Sequence, residues 1–310
     1  MTPNETPSAE HYDDEDGTNV CLLCENPDFS LHYEINRFGF PLRFFRCQCR
    51  LIKQAPMPNE TFFEWFFNSD LFLSAKQSNS EEIWGFYDYL KDEPCRLATS
   101  RFRYWRLRRH FGSKTSRIMK IGPSTGTMLH VAKQKGHDAN GCDVSSTFVA
   151  YAREHYDVTI DQGRFEQMGY ETESFDSVLL FNVIENVNNL SDLLDDIHRT
   201  LRDGGRFILN HVRMEGNLIE RFQGKNYFLY RPPVCYIFES PVLHRLLEKH
   251  GFRIEQTYRD LRFMNLEKVF TLLRWRWPLR IARALHIHLV PFPVYAYPSR
   301  ILVARKIPAK

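Results

Sequence analysis

The sequence predicts an α/β protein built on a doubly wound, Rossmann-like parallel sheet, and three observations predict it. From Ser116 to about Asn210, short apolar runs alternate with helix-forming stretches, the rhythm of strands covered by helices on both faces. The first run, Ile118–Ile121, ends in a glycine turn, "GPSTG", that opens a helix. An acid, Asp143, closes the second strand 21 residues after Gly122, where such folds can offer a carboxylate to ribose hydroxyls.

Each element follows from local chemistry. Thr127 to Lys135 reads as a helix stopped by Gly136, since glycine accepts the left-handed cap conformation. "ANGCD" is a short strand, and "SSTFVAYAREHY" a helix with Ser145 or Ser146 as N-cap. "VTID" and "SVLLFNVI" supply the third and fourth strands. In "LSDLLDDIHRTL" the residues Leu193, Leu194, Ile197 and Leu201 form one helical stripe, which "RDGG" ends before the strand "RFILN". "ESPVLHRLLEKHGFRIEQTYRD" gives a helix, Gly251 as its stop, and another strand; "RILVARK" gives a last one.

The 310 residues carry a net charge of only +3, so bulk charge selects neither nucleic acid nor membrane. Residues 1–19 are acidic, with no apolar or basic leader, and read as a disordered tail. No stretch has the roughly 18 apolar residues of a membrane span. Seven cysteines, an odd number, suit a reducing, cytoplasmic setting. Cys21-x-x-Cys24 and Cys47-x-Cys49 offer four thiolates for a structural zinc. The expected domains are the tail 1–19, a zinc-binding module 20–55, a helical linker or cap 56–112, and a catalytic domain 113–310 with an insertion at about 266–297.

Residues 116 to about 260 resemble class I S-adenosylmethionine-dependent methyltransferases, nearest to the branch of ubiquinone-biosynthesis enzymes. The resemblance is carried by the glycine turn, Asp143, "ESFDSVLLFNVIENVNNLSDLLDDIHRTLRDGGRFIL" and "YRPPVCYIFESPVLHRLLEKHGFRI". Many relatives in this branch also carry an N-terminal cysteine module. The resemblance implies that Gly122, Ser124 and Gly126 cradle the methionine and ribose end of S-adenosylmethionine. Asp143 with Val144 would meet the ribose diol, Arg164 and Phe165 would border the adenine, and Asn182 and Val183 would face the sulfonium. The chain departs from the family pattern at Lys120, where Asp or Glu is usual, and at Ser124, Arg164 and Asn186, which replace Gly, Asp and His. A lysine near the cofactor's ammonium costs affinity unless it is paired or solvated. Serine at 124 costs little provided its φ is negative.

The implied activity is methyl transfer to O, C or N of a small biosynthetic intermediate, free or linked to a carrier or lipid. Aligning nucleophile, methyl and sulfur supplies much of the acceleration, and a general base is needed only for a protonated acceptor. The candidates for it are Glu185, His211 and His244. Two other readings compete: a methyltransferase-like binding or regulatory protein without catalysis, favoured by the same departures, and an RNA methyltransferase gripping phosphates through "RFRYWRLRRH". The second ranks last, because "FNVI" stands where a target-base motif would. "LLRWRWPLRIARAL" reads as an amphipathic surface, either a cap over the site or a membrane contact. The sequence leaves the oligomeric state open.

Overall fold

The computed structural model describes residues 11–12, 20–37, 39–69, 72, 92–272 and 275–308. The expected tail therefore lies outside the described residues except at His11 and Tyr12, where Tyr12 bridges to Pro58. The middle of the expected helical linker lies outside them too.

Two sheets organise the described chain. The smaller runs β1 (Phe29–Arg37), β2 (Phe40–Cys47), β3 (Ile52–Gln54) and β9 (Tyr236–Ile237), in that order and antiparallel. Its last strand comes from far along the chain, so the cysteine-bearing segment is stitched to a stretch that lies between two strands of the larger sheet. The larger sheet has seven strands in the order β10-β11-β8-β7-β4-β5-β6. Strands β4 (Arg117–Ile121), β5 (Asp138–Asp143), β6 (Ile160–Gln162), β7 (Phe175–Leu180) and β8 (Leu201–Val212) are parallel. At the far edge, β10 (Phe252–Asn265) and β11 (Pro291–Lys306) form a long antiparallel pair, with β11 antiparallel to β8.

Strand alternation sends side chains into two layers. Met119, Ile121, Val178, Leu180, Phe207 and Leu209 join one buried cluster, which continues into the small sheet through Phe40, Phe44 and Cys47. Their neighbours Ile118, Leu179, Phe181 and Ile208 join the other. Helix α5 (Leu190–Thr200) covers the first layer with Leu190, Leu193, Leu194 and Ile197, and α7 (Ser240–Lys249) covers it with Leu243, Leu246 and Leu247. On the opposite layer lie α2 (Glu93–Leu107), α3 (Thr127–Gln134) and α4 (Ser146–Tyr156). Ser145, rather than Ser146, caps α4 by accepting the Phe148 N–H.

Three element boundaries differ from the sequence reading. The "RDGG" turn is absorbed into β8, where the register against β7 shifts and Gly204 takes φ +72°. The third strand is Ile160–Gln162, overlapping the second half of "VTID" and running one residue further. The last strand starts at Pro291, so the insertion is two short helices, α8 (Leu266–Leu272) and α9 (Arg276–Ala284), followed by strand. Among the described residues no helix is long and apolar enough to cross a membrane.

Candidate functional site

Helix α1 (Glu60–Asn68) and the carboxyl ends of β4, β5, β7 and β8 enclose a cavity of about 700 Å3. The chain winds in opposite directions from β4 and β7, and such a reversal opens a crevice between neighbouring strand ends.

The first wall is the glycine turn. Gly122, Ser124 and Gly126 have φ of +59°, +57° and +85°. A Cβ on Gly122 would stand 2.7 Å from Val183 Cγ2, and one on Gly126 would stand 2.9 Å from both Ala152 Cβ and Val158 Cγ2. Glycine is therefore required at both positions, at Gly122 for approach to the β7 end and at Gly126 for packing of α3 on α4. Gly126 caps α3 and is not part of the cavity wall. The condition for a cheap serine at 124 is not met: its positive φ carries a strain of about 1 kcal/mol for a residue with a Cβ.

Asp143 holds this turn in shape. Its Oδ2 accepts the Ser124 N–H at 2.9 Å and its Oδ1 accepts the Ser145 N–H at 3.0 Å. Burial pushes its carboxyl up, and these N–H donors together with Lys120 oppose that. With the Val144 N–H as a further backbone donor, about three of the roughly four lone-pair positions on a carboxylate are used, leaving some acceptor capacity toward the cavity it lines. Asn68, at the end of α1, reaches the same region and accepts from Ser145 Oγ, Ser146 Oγ and the Thr147 N–H.

Lys120 is buried in β4, and its Nζ donates to the carbonyls of Ile121 at 2.6 Å and Gly122 at 3.0 Å. Burial pulls its pKa down to about 7, with Asp143 opposing and Arg103 adding to the drop. Burial thus disfavours the charged amine, while the two carbonyls that accept from Nζ and the nearby Asp143 favour it.

The opposite wall is a polar network on β7, β8 and β10. Asn182, at φ +59°, donates its N–H to Asn210 Oδ1 at 2.6 Å, and its own Oδ1 accepts from Asn210 Nδ2 at 3.0 Å and Arg262 at 2.6 Å. Asp260 anchors the network through a bidentate pair with Arg103 of α2, at 2.9 and 2.8 Å, and through Arg262 at 3.0 Å. Burial would raise the Asp260 carboxyl, but the two arginines outweigh it and hold it at about 2. Glu185 also lines the cavity; its Oε1 accepts the Val212 N–H at 2.7 Å. Burial pushes Glu185 up to about 7 against that hydrogen bond and the nearby Arg262 and Arg231. Arg231 is drawn down to about 10 by burial and by Arg37.

Val144, Arg164, Phe165, Asn182, Val183 and Asn186 line the same cavity. Arg164 pairs with Glu166 at 2.7 Å and donates to Asn188 at 2.9 Å and to Asn189, so its guanidinium is already held by neighbours. His211 and His244 are not brought to the cavity, which corrects their nomination as bases. His211 is buried beside Ser240, at 3.4 Å, and burial takes it down to about 4. His244 sits on α7, on the first-layer side, and burial lowers it as well.

Away from the cavity, Cys21, Cys24, Cys47 and Cys49 bring their sulfur atoms within 4.8 Å of one another. Cys21 and Cys49 are 3.5 Å apart, and Cys24 and Cys47 3.4 Å. Each pair sits on a tight turn: the Glu25 N–H returns to Cys21 O and the Arg50 N–H to Cys47 O, both at 2.8 Å, with Glu25 and Arg50 at positive φ. Four sulfurs about 2.3 Å from a tetrahedral zinc lie about 3.8 Å apart, so the donor set fits that metal.

Residues 119–209 match the family model described as a methyltransferase domain. Over these residues the chain is similar to methyltransferase domains. It is similar to demethylmenaquinone methyltransferases from Chlorobaculum parvum and Chlorobaculum tepidum, 26% identical to each over 43% of this chain and 57% of theirs; it thus spans little more than half the length of these curated relatives. Among solved structures it is similar to magnesium protoporphyrin IX methyltransferase from Synechocystis with bound SAH, at TM-score 0.51 and 15% identity over 80% of this chain and 100% of that one. A SAM-dependent methyltransferase from Archaeoglobus fulgidus gives TM-score 0.50 and 16% identity over 71% of this chain and 100% of that one. These likenesses show the fold, a class I methyltransferase-type Rossmann-like sheet.

Sequence reasoning missed Arg231, Arg262, Asn210 and the Arg103–Asp260 pair. Asn210, ending the apolar run "RFIL", carried a signal as the first polar residue at a strand's carboxyl end. The arginines carried none, because only the sheet order brings residues 103, 182, 210 and 260 together.

Proposed function

We propose that the cavity binds S-adenosylmethionine and that the protein transfers its methyl group to a small biosynthetic intermediate, free or linked to a carrier or lipid. The observation carrying this reading is Asp143, buried at the strand end with both oxygens tied to the turn and acceptor capacity toward the cavity. Such a carboxylate suits a ribose diol. The Gly122 approach and the backbone of Ser124 and Val144 would border the ribose and methionine, Arg164 and Phe165 the adenine, and Asn182 and Val183 the sulfonium. Lys120, its pKa lowered by burial, would face the methionine carboxylate in its charged form and tolerate the ammonium in its neutral form. The apolar face of the turn's surroundings, Phe148, Phe165 and Phe181, would exclude water.

When bound, the cofactor supplies a methyl group already activated on a sulfonium. The chain's task is orientation, with one proton to manage where the acceptor is a hydroxyl. Glu185 is the residue for that proton: it lines the cavity, its pKa of about 7 suits transfer near neutral pH, and Val212 fixes its orientation. Arg231 and Arg262, on the same wall, favour its charged form and would attract an acceptor bearing negative charge. Screening hydroxyl acceptors with radiolabelled methyl donor tests this: Glu185→Gln should lower turnover about 10²- to 10⁴-fold while leaving donor binding intact. Equal turnover in wild type and variant removes Glu185 from the mechanism.

We also propose that Cys21, Cys24, Cys47 and Cys49 hold one structural zinc, and that the small sheet serves the cavity by fixing α1 above it. Elemental analysis of protein purified without chelator should give one zinc per chain, and a Cys24→Ser variant should carry less. A binding scaffold that keeps the fold without catalysis is the second reading, favoured by Lys120 and the strained Ser124; it predicts no measurable affinity for the cofactor.

A further inference from the structure

The insertion between β10 and β11 presents an apolar surface that the fold does not use. On α9 and its C-cap, Trp277, Ile281 and Leu285 recur at i, i+4 and i+8, the spacing of one helical stripe. That stripe faces water: Trp277 is 70% exposed and Leu285 63%. The helix turns Ala282 inward, and Trp275, just before it, stacks on Phe270 of α8. Beyond α9 the exposed apolar surface continues through Leu289, Val290, Phe292 and Tyr295. Scattered exposed apolar residues are ordinary, but a contiguous run of this kind marks an interaction surface.

Charge says what kind of partner fits. From Lys268 to Lys310 the chain has nine Lys or Arg residues and no Asp or Glu. Arg280 flanks the apolar stripe one step around α9 and is exposed, while Arg283 lies further round the helix and reaches Glu267. A short helix with tryptophan and aliphatic side chains on one face and an arginine beside it, in a segment rich in Lys and Arg, has the composition of a helix lying in a membrane interface. An anionic lipid surface would meet the arginines while the stripe enters the acyl boundary. A nucleic acid would be met by the arginines but would leave Ile281 and Leu285 without a partner.

We propose that α9 and the strand after it form a docking surface for an anionic lipid bilayer, on which the protein lies without crossing it. The surface is joined to the cavity wall: Phe263 and Met264, which line the cavity, pair with Pro293 and Phe292 across the β10–β11 hairpin, and Lys268 at the start of α8 lines it too. The inference stands apart from the methyl-transfer reading, since bilayer binding needs no cofactor.

The test is co-sedimentation of the full chain with vesicles of phosphatidylcholine, alone or with about 30% phosphatidylglycerol. The protein should pellet with the anionic vesicles, be released as salt rises from about 0.05 to 0.5 M, and stay in solution with the neutral ones. Trp277→Ser, Ile281→Ser and Leu285→Ser together should cut the bound fraction at least tenfold, with an unchanged melting curve because the three side chains are exposed. Arg280→Glu should weaken binding severalfold and reduce the salt sensitivity. The proposal is overturned if the wild type does not pellet, if the triple variant pellets equally, or if wild type binds RNA but not vesicles. It is also overturned if the wild type is a dimer that the triple variant dissociates without any vesicle binding, which would make the patch a contact between two copies of the chain.

Discussion

The two walls of the cavity are built in different ways. On the β4–β5 side the geometry is local: a five-residue turn, an acid 21 residues on, and backbone N–H groups that close the circuit. On the β7–β8–β10 side it is made of side chains far apart in sequence, as in the pairing of Arg103 with Asp260 and of Asn182 with Asn210. The first wall constrains the chain through φ angles and close approach, the second through buried charge. A wall of the first kind tolerates little change at its glycines, and one of the second kind can be altered residue by residue. That contrast suits a common donor on one side and a variable acceptor on the other.

The largest expected effect concerns buried charge where the walls meet. Lys120 has a folded pKa of about 7 against 10.5 for the free side chain. Between these values the unfolded chain binds more protons, so stability rises with pH from about 7 to 10.5, by up to about 4 kcal/mol from this group. Lys120→Met should raise stability at pH 7 and flatten that rise in denaturant titrations; an unchanged slope would mean the amine is charged and paired. Glu185 has the opposite sign. With its folded pKa raised to about 7, stability falls as pH climbs from about 4.5 to 7, and Glu185→Gln should remove that fall.

Arg103→Leu tests the second wall directly. It leaves Asp260 with Arg262 as its only charged partner among the described residues and should cost about 3 kcal/mol, the low end for breaking a buried pair, measured by urea denaturation. A loss below about 1 kcal/mol would show that Arg262 alone suffices. On the first wall, Asp143→Asn should keep the fold and weaken cofactor binding about 10- to 100-fold, the worth of one or two hydrogen bonds to a charged acceptor. The smallest effect is expected of Ser124→Gly, which should stabilise the protein by less than about 1 kcal/mol by relieving the positive φ; a destabilisation would show that the serine side chain makes a contact worth more than the strain.

The same contrast explains what could be read from the sequence. The Ser116–Asn210 rhythm, the Gly122 and Gly126 spacing and Asp143 were legible because each follows from local backbone geometry. The cysteine cluster was legible for a similar reason, since each pair sits within one turn. The sheet order that makes β9 a partner of β3, and that carries Arg231 and Arg262 to the cavity, is set by packing between segments up to about two hundred residues apart, which no local pattern encodes. His211 was nominated because it follows a strand; along β8 it is Asn210 and Val212, on either side of it, that line the cavity, while His211 itself is buried beside α7.

The central claim is that the first wall holds S-adenosylmethionine despite Lys120. Calorimetric titration of the zinc-replete protein with S-adenosylmethionine and with S-adenosylhomocysteine tests it most directly. The account predicts saturable binding of both at one site per chain, weakened by Asp143→Asn. Absence of binding to either compound, in protein with a normal melting transition, would contradict it and favour the scaffold reading.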